Sequence, residues 1–534
     1  MKLLCVILLL PQILPAQVDI SEARKMRSGK VVTVNGQVIA TFGDLSFIED
    51  RSGAIAVYGA STNENDSISV TGKLSKFNGL LEIVVDSMKV LKASLKPVTP
   101  KVVTRITDHE AELVQLQNVS LQPQGHFFYP SRSGILIKNN DTTQYWIDEN
   151  TDLPGYLIPA TSTITGIVSR YGSQFQLLPR SHTDIENITP EQRQTDSNFK
   201  VLNWNLEFFG APKYGPSNDN LQLTNVARVL NSTHADLMAL QEISNDDTFK
   251  SLVQLMPGYN GRCSNRYSYS FDPSGDFPPQ KLCFIYNTQT VKVIRDKILF
   301  SKYFDDNPSD IFSSGRLPYL LEVEALGHRL YFVNIHAKSG YDDDARNRRI
   351  IDATMLKDTL DHYYSNKNVF ILGDFNDVLE GSYENFIDDL KYDCISRSLN
   401  ENGWHSTISY DDVIDQQVIL SALSDNFINV GIVNPFQLAP LYEKTTSDHL
   451  PVMSEFDLTK IVTGITDDEL NVYPNPASNE IWFTPANSSV TLMNSIGAVL
   501  YKNKNTHPPI SLNGYAPGIY YVILRDRVFK IVRN

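Results

Sequence analysis

The chain lacks most of what would tie it to a membrane, to zinc or to a highly charged polymer. Beyond its first ten residues no apolar run approaches the roughly 20 residues that a bilayer-spanning helix needs. It has only four cysteines in 534 residues, and no Cys/His spacing suggests a zinc site. Basic residues are in deficit, with a net charge of −14. That balance argues against a chain held to nucleic acid by overall charge. It leaves room for a local basic groove, because screening confines surface fields to roughly 8 Å at physiological salt. What is present is a globular composition, 42% hydrophobic and 10% aromatic. The length calls for three or four domains rather than one.

Residues 1–16 have the makeup of a cleavable signal peptide. Lys2 supplies the positive start, residues 3–10 the apolar centre, and Leu14-Pro15-Ala16 a small-residue cleavage site before Gln17. Its removal leaves Cys263, Cys283 and Cys394. In an oxidising compartment Cys263 and Cys283 pair and staple the segment between them, or all three remain buried thiols; the sequence leaves both open.

From residue 31 the chain runs in short alternating segments with polar turns: 31–34, 37–40, 45–50, 54–58, 67–74 and 80–85. This rhythm predicts a small β-barrel. Its order resembles the OB-fold modules of secreted bacterial nucleases, over residues 17–97. Residues 98–187 repeat the theme. Thr165-Gly166-Ile167-Val168 followed by Tyr171-Gly172 echoes Thr71-Gly72-Lys73-Leu74 followed by Phe77-Asn78-Gly79, which predicts a second OB-like module. Phe127, Phe128, Tyr129, Tyr145 and Trp146 are candidates for stacking on bases, or else fill a barrel core or a seam between domains. Residues 188–198 read as a linker, 199–458 as a large α/β domain, 459–466 as a second linker, and 467–534 as a small β-sandwich.

The chemistry gathers at strand ends in the large domain. In Asn368-Val369-Phe370-Ile371-Leu372-Gly373-Asp374-Phe375-Asn376-Asp377 a buried apolar strand runs into a glycine and then into polar residues. An acid on the rim of a buried sheet must be met by water or a cation. Other predicted strands end at Asn205, at Glu242 and at His336, and Asp448-His449 enters a last one. Five such endings in order point into one crevice.

The set Asn205, Gln241-Glu242, Asn334-Ile335-His336, Gly373-Asp374-Phe375-Asn376 and Ser447-Asp448-His449 resembles the endonuclease/exonuclease/phosphatase superfamily, whose DNase I-like fold is a four-layer αββα sandwich. The resemblance covers residues 199–458 and implies roles. Glu242, with Asp448 and Asn205, holds a hard cation, Mg²⁺ or else Mn²⁺ or Ca²⁺. Asp374 orients and deprotonates the attacking water, and Asn376 fixes that water or a phosphate oxygen. His336 and His449 face the phosphate from opposite sides. Asp415 anchors His449, and Arg316, in Arg316-Leu317-Pro318, lies by the site. In one place the chain departs from the family pattern: Gln280 stands where these enzymes often carry the Glu that anchors the other histidine, which points to a neutral His336.

Substrate cues are softer. Arg262, Arg266, Tyr267, Tyr269 and Phe271 interleave charge and rings, as in a nucleic-acid groove or a loop packed on itself. Lys338, Arg346, Arg348 and Arg349 bracket a helix start and suit phosphate contacts, or form a solvated face. That helix is expected to bury Ile350, Ile351, Met355, Leu356 and Leu360. Asp377 is expected to be a solvated turn residue.

Val472-Tyr473-Pro474-Asn475-Pro476 and the closing Gly518-Ile519-Tyr520-Tyr521-Val522 resemble the C-terminal sorting domain of the type IX secretion system. This implies handling by that machinery and a secreted or outer-membrane-surface location. The expectation is a secreted, metal-dependent phosphodiesterase, foremost a nuclease acting on DNA or RNA. A phosphatase, a sphingomyelinase or inositol-phosphate type of enzyme, or a binding protein with an inactive hydrolase domain are the alternatives.

Overall fold

A computed structural model describes residues 17–191, 198–269, 277–301, 312–460, 471–484, 488–524 and 527–534. The expected signal peptide, most of both expected linkers and Phe271 lie outside these residues. The chain divides into two compact units, residues 1–460 and 461–534.

The strands Val31–Phe42, Leu45–Glu49, Ala54–Tyr58, Ser67–Phe77 and Leu80–Lys92 close into a barrel. The first strand pairs with the second and fourth, and the third runs parallel to the fifth. Alternate residues Val32, Val34 and Val38 point inward, the period-2 burial of a sheet with one buried face. Leu113–Gln122, Arg132–Lys138, Asp141–Ile147, Thr161–Tyr171 and Gln174–Leu178 repeat this topology, again with a parallel pairing of the third and fifth strands. The repeated Thr-Gly now has a physical cause. A Cβ on Gly72 would lie 2.2 Å from the Val84 carbonyl oxygen, and one on Gly166 would lie 2.6 Å from that of Leu178. In each barrel the glycine lets the fifth strand cross close over the fourth. The two hairpin tips also meet, Gly172 N donating to Asn78 O across 2.6 Å.

Four of the five candidate rings of the second barrel are packed inward, and Trp146 is half-buried against the core that the two barrels share. Phe127, Phe128, Tyr129 and Tyr145 are buried. Phe127 and Tyr129 join the core of the large domain, with Phe127 packed on Trp404 and Phe436 at 5.3 and 5.7 Å between ring centroids. Arg132 donates to the carbonyls of Ile408 and Tyr410 and pairs with Asp411. The barrel is thus joined to the segment that pairs with His449 through Thr407 and leads into Asp415.

The large domain holds two six-stranded sheets. One has the order Tyr259–Tyr267, Lys281–Asn287, Leu237–Ile243, Phe199–Phe209, Val452–Phe456, Phe427–Ile432. The other has Val291–Ile298, Tyr319–Ala325, His328–His336, Asn368–Asp374, Asp415–Leu420, Tyr392–Asp393. Helices Asp219–Thr233 and Asp246–Gln254, capped by Asn218 and Asn245, cover the outside of the first sheet. Helix Asp343–Tyr363, capped by Asp342, covers the second. Cys263 and Cys283 face each other on neighbouring strands and are joined as a disulfide; Cys394 is free.

Helix Asp343–Tyr363 corrects the expected burial. Ile350 and Ile351 are exposed at 36% and 55%, while Ala345, Arg349, Asp352, Ala353, Leu356 and Leu360 face inward. The apolar spacing misleads because two charged residues occupy the inner stripe, each held by internal partners.

In the second unit, Asn471–Tyr473, Glu480–Thr484 and Ile510–Ser511 form one sheet, and Ser488–Asn494, Val499–Thr506, Gly518–Leu524 and Arg527–Arg533 another. Ile481, Phe483, Leu492, Val522 and Ile531 share one core. Among the described residues no helix is long and apolar enough to cross a membrane.

Candidate active site

The inward-facing residues of the central strands change character along their length. At one end they are aromatic, with Phe199 against Phe332 and Phe370 against Phe456, across the two sheets. In the middle they are amides. Asn203 donates to Gly373 O, Gln417 donates to Asn203 Oδ1, and Asn334 donates to Leu240 O and Cys283 O. These buried amides satisfy one another across the sandwich and fix the register of one sheet on the other. At the far end stand Asn205, His336, Asp374 and Asp415. His336, Asp374 and Asp415 are register partners on three adjacent strands, so the topology places them side by side. Gly373 is required there: its φ is +143°, and a Cβ would lie 2.0 Å from Ile335 O.

Asp374 is the hub. Its carboxylate accepts from Asn205 Nδ2 at 2.9 Å, from Asn376 N at 2.8 Å and from Asn376 Nδ2 at 3.2 Å. His336 Nε2 lies 3.3 Å from it and His449 Nε2 3.9 Å. Burial pushes the Asp374 carboxyl up to about 6, with His449 and these hydrogen bonds opposing and Asp415 adding.

The two histidines are held in opposite states. Burial, then the Arg316 guanidinium and His449, holds His336 well below the ordinary imidazole range, so it is neutral. Its Nε2 faces carboxylates and carries the proton, while its buried Nδ1 has no hydrogen-bond partner. For His449 burial acts against charge, but Asp415, Asp448 and Asp374 outweigh it and raise the ring well above that range. Its Nδ1 donates to Asp415 Oδ2 across 2.8 Å. The Tyr442 hydroxyl and Trp204 Nε1 hold its carbonyl, and Ser447 Oγ accepts from its backbone N–H.

Beside the histidines stand three carboxylates. Glu242 accepts from Asn205 Nδ2 at 3.2 Å and from Phe208 N at 2.9 Å. Glu207, which the sequence reading passed over, accepts from Asp448 N at 3.0 Å. Burial, then Asp448 and Glu242, pushes its carboxyl up to about 8. Burial, then Asp448, also raises Glu242, with Arg316 opposing. Hard oxygens crowded until they repel one another suit a divalent cation. The signal for Glu207 was its place on the same strand face as Asn203 and Asn205. Asp374, Asp415 and His449 also offer donor atoms within 4.8 Å of one another. The His449 nitrogen nearest Asp415 is spent on a hydrogen bond, so that trio is better suited to relaying protons than to holding a metal.

Backbone strain concentrates here. Glu207, Phe208, Glu242, Tyr269 and Asn376 all have φ between +49° and +59°, a left-handed conformation that costs about 1–3 kcal/mol for a residue with a side chain.

Several predicted residues sit differently from their expected roles. Asn205 Oδ1 accepts from Glu207 N, which turns its amide nitrogen toward Glu242 and Asp374, so that it also orients both carboxylates. Arg316 is buried and donates to Gln280 and to the carbonyls of His336 and Ala337, so it positions the strand end. Gln280 therefore serves Arg316. Arg349 is buried against Asp377, Ser382 and the carbonyls of Lys338 and Gly340 and is not a substrate contact. Asp377 is its partner, not a solvated turn residue. Arg346 is exposed and reaches Gly381 O. Arg266 lies on the Tyr259–Tyr267 strand. Tyr269 is exposed and packs on Phe277, ring centroids 5.3 Å apart. Phe277 in turn packs on Phe208 and Tyr214.

Residues 202–449 match the model of the Endonuclease/Exonuclease/phosphatase family, and residues 471–534 that of a secretion system C-terminal sorting domain. No curated protein sequence matches the chain. Among solved structures, an endonuclease/exonuclease/phosphatase from Bacteroides vulgatus is 14% identical, with 49% of this chain and 99% of that one covered and a TM-score of 0.39. The human Nocturnin catalytic domain with bound sulfate is 15% identical, covering 50% and 96%, TM-score 0.37. A mannosyl-6-phosphatase from Bacteroides thetaiotaomicron is 17% identical, covering 48% and 99%, TM-score 0.37. The chain carries an endonuclease/exonuclease/phosphatase family domain of the DNase I-like superfamily and ends in a type IX sorting domain that marks it for secretion or the cell surface.

Proposed function

We propose that the protein is a secreted, divalent-cation-dependent phosphodiesterase that hydrolyses nucleic acid. One observation carries the choice of substrate. Half-buried Phe208, whose backbone N–H holds Glu242, opens an aromatic cluster with the exposed rings of Tyr214, Tyr269 and Phe277, ring centroids 5.2–6.3 Å apart. Rings beside a phosphate-cleaving centre suit bases flanking the scissile phosphate, at about 1–3 kcal/mol per stacked base. The two N-terminal barrels have the strand order of OB folds, which agrees with this reading.

In this reading Glu242, Glu207 and Asp448 would hold the cation, Mg²⁺ or else Mn²⁺ or Ca²⁺, and it would supply charge neutralisation at the phosphoryl oxygens. Asp374, kept in place by Asn205 and Asn376, takes the proton from the attacking water. Asn376 also holds that water. His449, kept protonated by Asp415, donates to one phosphate oxygen, and neutral His336 donates to another through Nε2–H. Arg316 and Asp415 act through the histidines.

The test is a substrate panel in Mg²⁺: a single-stranded oligonucleotide, the same strand with abasic sites, sphingomyelin and a sugar phosphomonoester. Cleavage of the base-bearing strand is expected to be fastest. Turnover of the lipid or the monoester alone would overturn the nuclease reading.

A further inference from the structure

Helix Asp343–Tyr363 turns Asp352 into the protein, where it is 6% exposed. One carboxylate oxygen, Oδ2, accepts from Phe312 N across 3.0 Å. The other, Oδ1, is buried and has no partner. The same is true of His336 Nδ1. Both residues line one small cavity of about 20 Å³, walled by Phe312, Arg316, Ala353, Leu356 and Tyr383. A space of roughly 10–15 Å³ admits one water, provided it has polar partners to bond. Two residues on its wall, each with an orphaned polar atom, can supply such partners, and a buried polar atom left without a partner is destabilising. Gln280, in the position of the usual histidine anchor, bonds Arg316 through its amide oxygen and does not reach His336 Nδ1, which has no hydrogen-bond partner.

We propose that a single buried water bridges Asp352 Oδ1 and His336 Nδ1, making Asp352 the positioning residue of the neutral catalytic imidazole. The water donates one hydrogen to the carboxylate and the other to Nδ1. This fixes the tautomer with the proton on Nε2, the nitrogen that lies 3.3 Å from Asp374. It also explains why a helix places an aspartate on its inner stripe and leaves Ile350 and Ile351 in solvent. Burial pushes the Asp352 carboxyl up to about 7, as befits a carboxyl with no full counter-charge, with the Phe312 bond and Arg348 opposing. The inference rests on the phosphoesterase reading of the site, and not on which phosphoester is cleaved.

The experiment combines a high-resolution crystal structure of the mature chain with kinetics of three variants. Ala353→Val fills the cavity while leaving Asp352 and its bond to Phe312 intact. Asp352→Leu removes both links. Asp352→Asn still accepts from Phe312 N and still holds a water through its amide. The expected results are density for a water within hydrogen-bond distance of both atoms, a fall in kcat of about tenfold or more with KM within about twofold for Ala353→Val, and recovery of most activity in Asp352→Asn relative to Asp352→Leu. If Asp352→Leu does not fold, Ala353→Val and the density still decide. A dry cavity, or an Ala353→Val enzyme as fast as wild type with the cavity filled, overturns the proposal. If wild type cleaves no phosphoester, the reading of the site fails, and the density alone decides the water bridge.

Discussion

His449 Nδ1 donates to Asp415 Oδ2 across 2.8 Å, and the two residues come from opposite sheets. His449 leads into the Val452–Phe456 strand of one, and Asp415 opens the Asp415–Leu420 strand of the other. The contact that keeps His449 protonated above the ordinary imidazole range therefore forms only when the two sheets are packed together. Replacing Asp415 by Asn keeps the shape and removes the charge that holds the proton on His449. Asp415→Asn is expected to lower kcat by about 100-fold or more while leaving KM and the circular dichroism spectrum near wild type. An unchanged kcat would deny His449 its role as a charged donor.

The pH dependence has a definite sign. Asp374 accepts a proton from water only as the carboxylate, and its carboxyl is pushed up to about 6. Below that pH it is protonated and inactive, so kcat/KM is expected to fall as pH drops through about 6, with a cation nearby moving the limb downward. A kcat/KM that stays level as pH falls through and below the ordinary aspartate range would exclude Asp374 as the base.

Glu207 gives the cation site a proton to lose. With its carboxyl pushed up to about 8, a cation entering at neutral pH displaces that proton, so apparent affinity rises with pH. Calorimetric titration of Mg²⁺ at several pH values is expected to show this rise in wild type and its loss in Glu207→Gln, together with binding weaker by about tenfold. Identical pH profiles would place Glu207 outside the site.

Gly373→Ala tests the strand end itself. The added Cβ meets the Ile335 carbonyl oxygen at 2.0 Å, in a region of φ that side chains avoid. The variant is expected to lose several kcal/mol and with it soluble expression or all activity. A stable, active Gly373→Ala protein would contradict the register of these two strands.

Asp374, His336, Glu242 and His449 were legible because each ends or begins a buried apolar run, where a polar residue has no packing reason to stand. The Thr-Gly echo was legible for a related reason, since a strand glycine marks a close crossing of backbones. Glu207 was missed because it follows Asn205 on the same face, where one polar ending masked another. The contacts of Asn205 with Glu242 and Asp374 were not legible because sequence does not reveal which way an amide is turned; the Glu207 N–H sets it. The inner stripe of helix Asp343–Tyr363 was misread because Arg349 and Asp352 are buried through partners distant in sequence, Asp377, Ser382 and Phe312. The ring cluster of the second barrel was similarly settled by residues far along the chain, Trp404 and Phe436.

In the proposed reading one crevice between two sheets cleaves nucleic-acid phosphodiesters with a divalent cation and His449. The most direct measurement is the cleavage rate of a single-stranded oligonucleotide by the mature chain in Mg²⁺, in EDTA, and after His449→Ala. Cleavage is expected in Mg²⁺, abolished by EDTA and lowered by about 100-fold or more in His449→Ala. Cleavage that survives EDTA, or that proceeds equally well without His449, would contradict it.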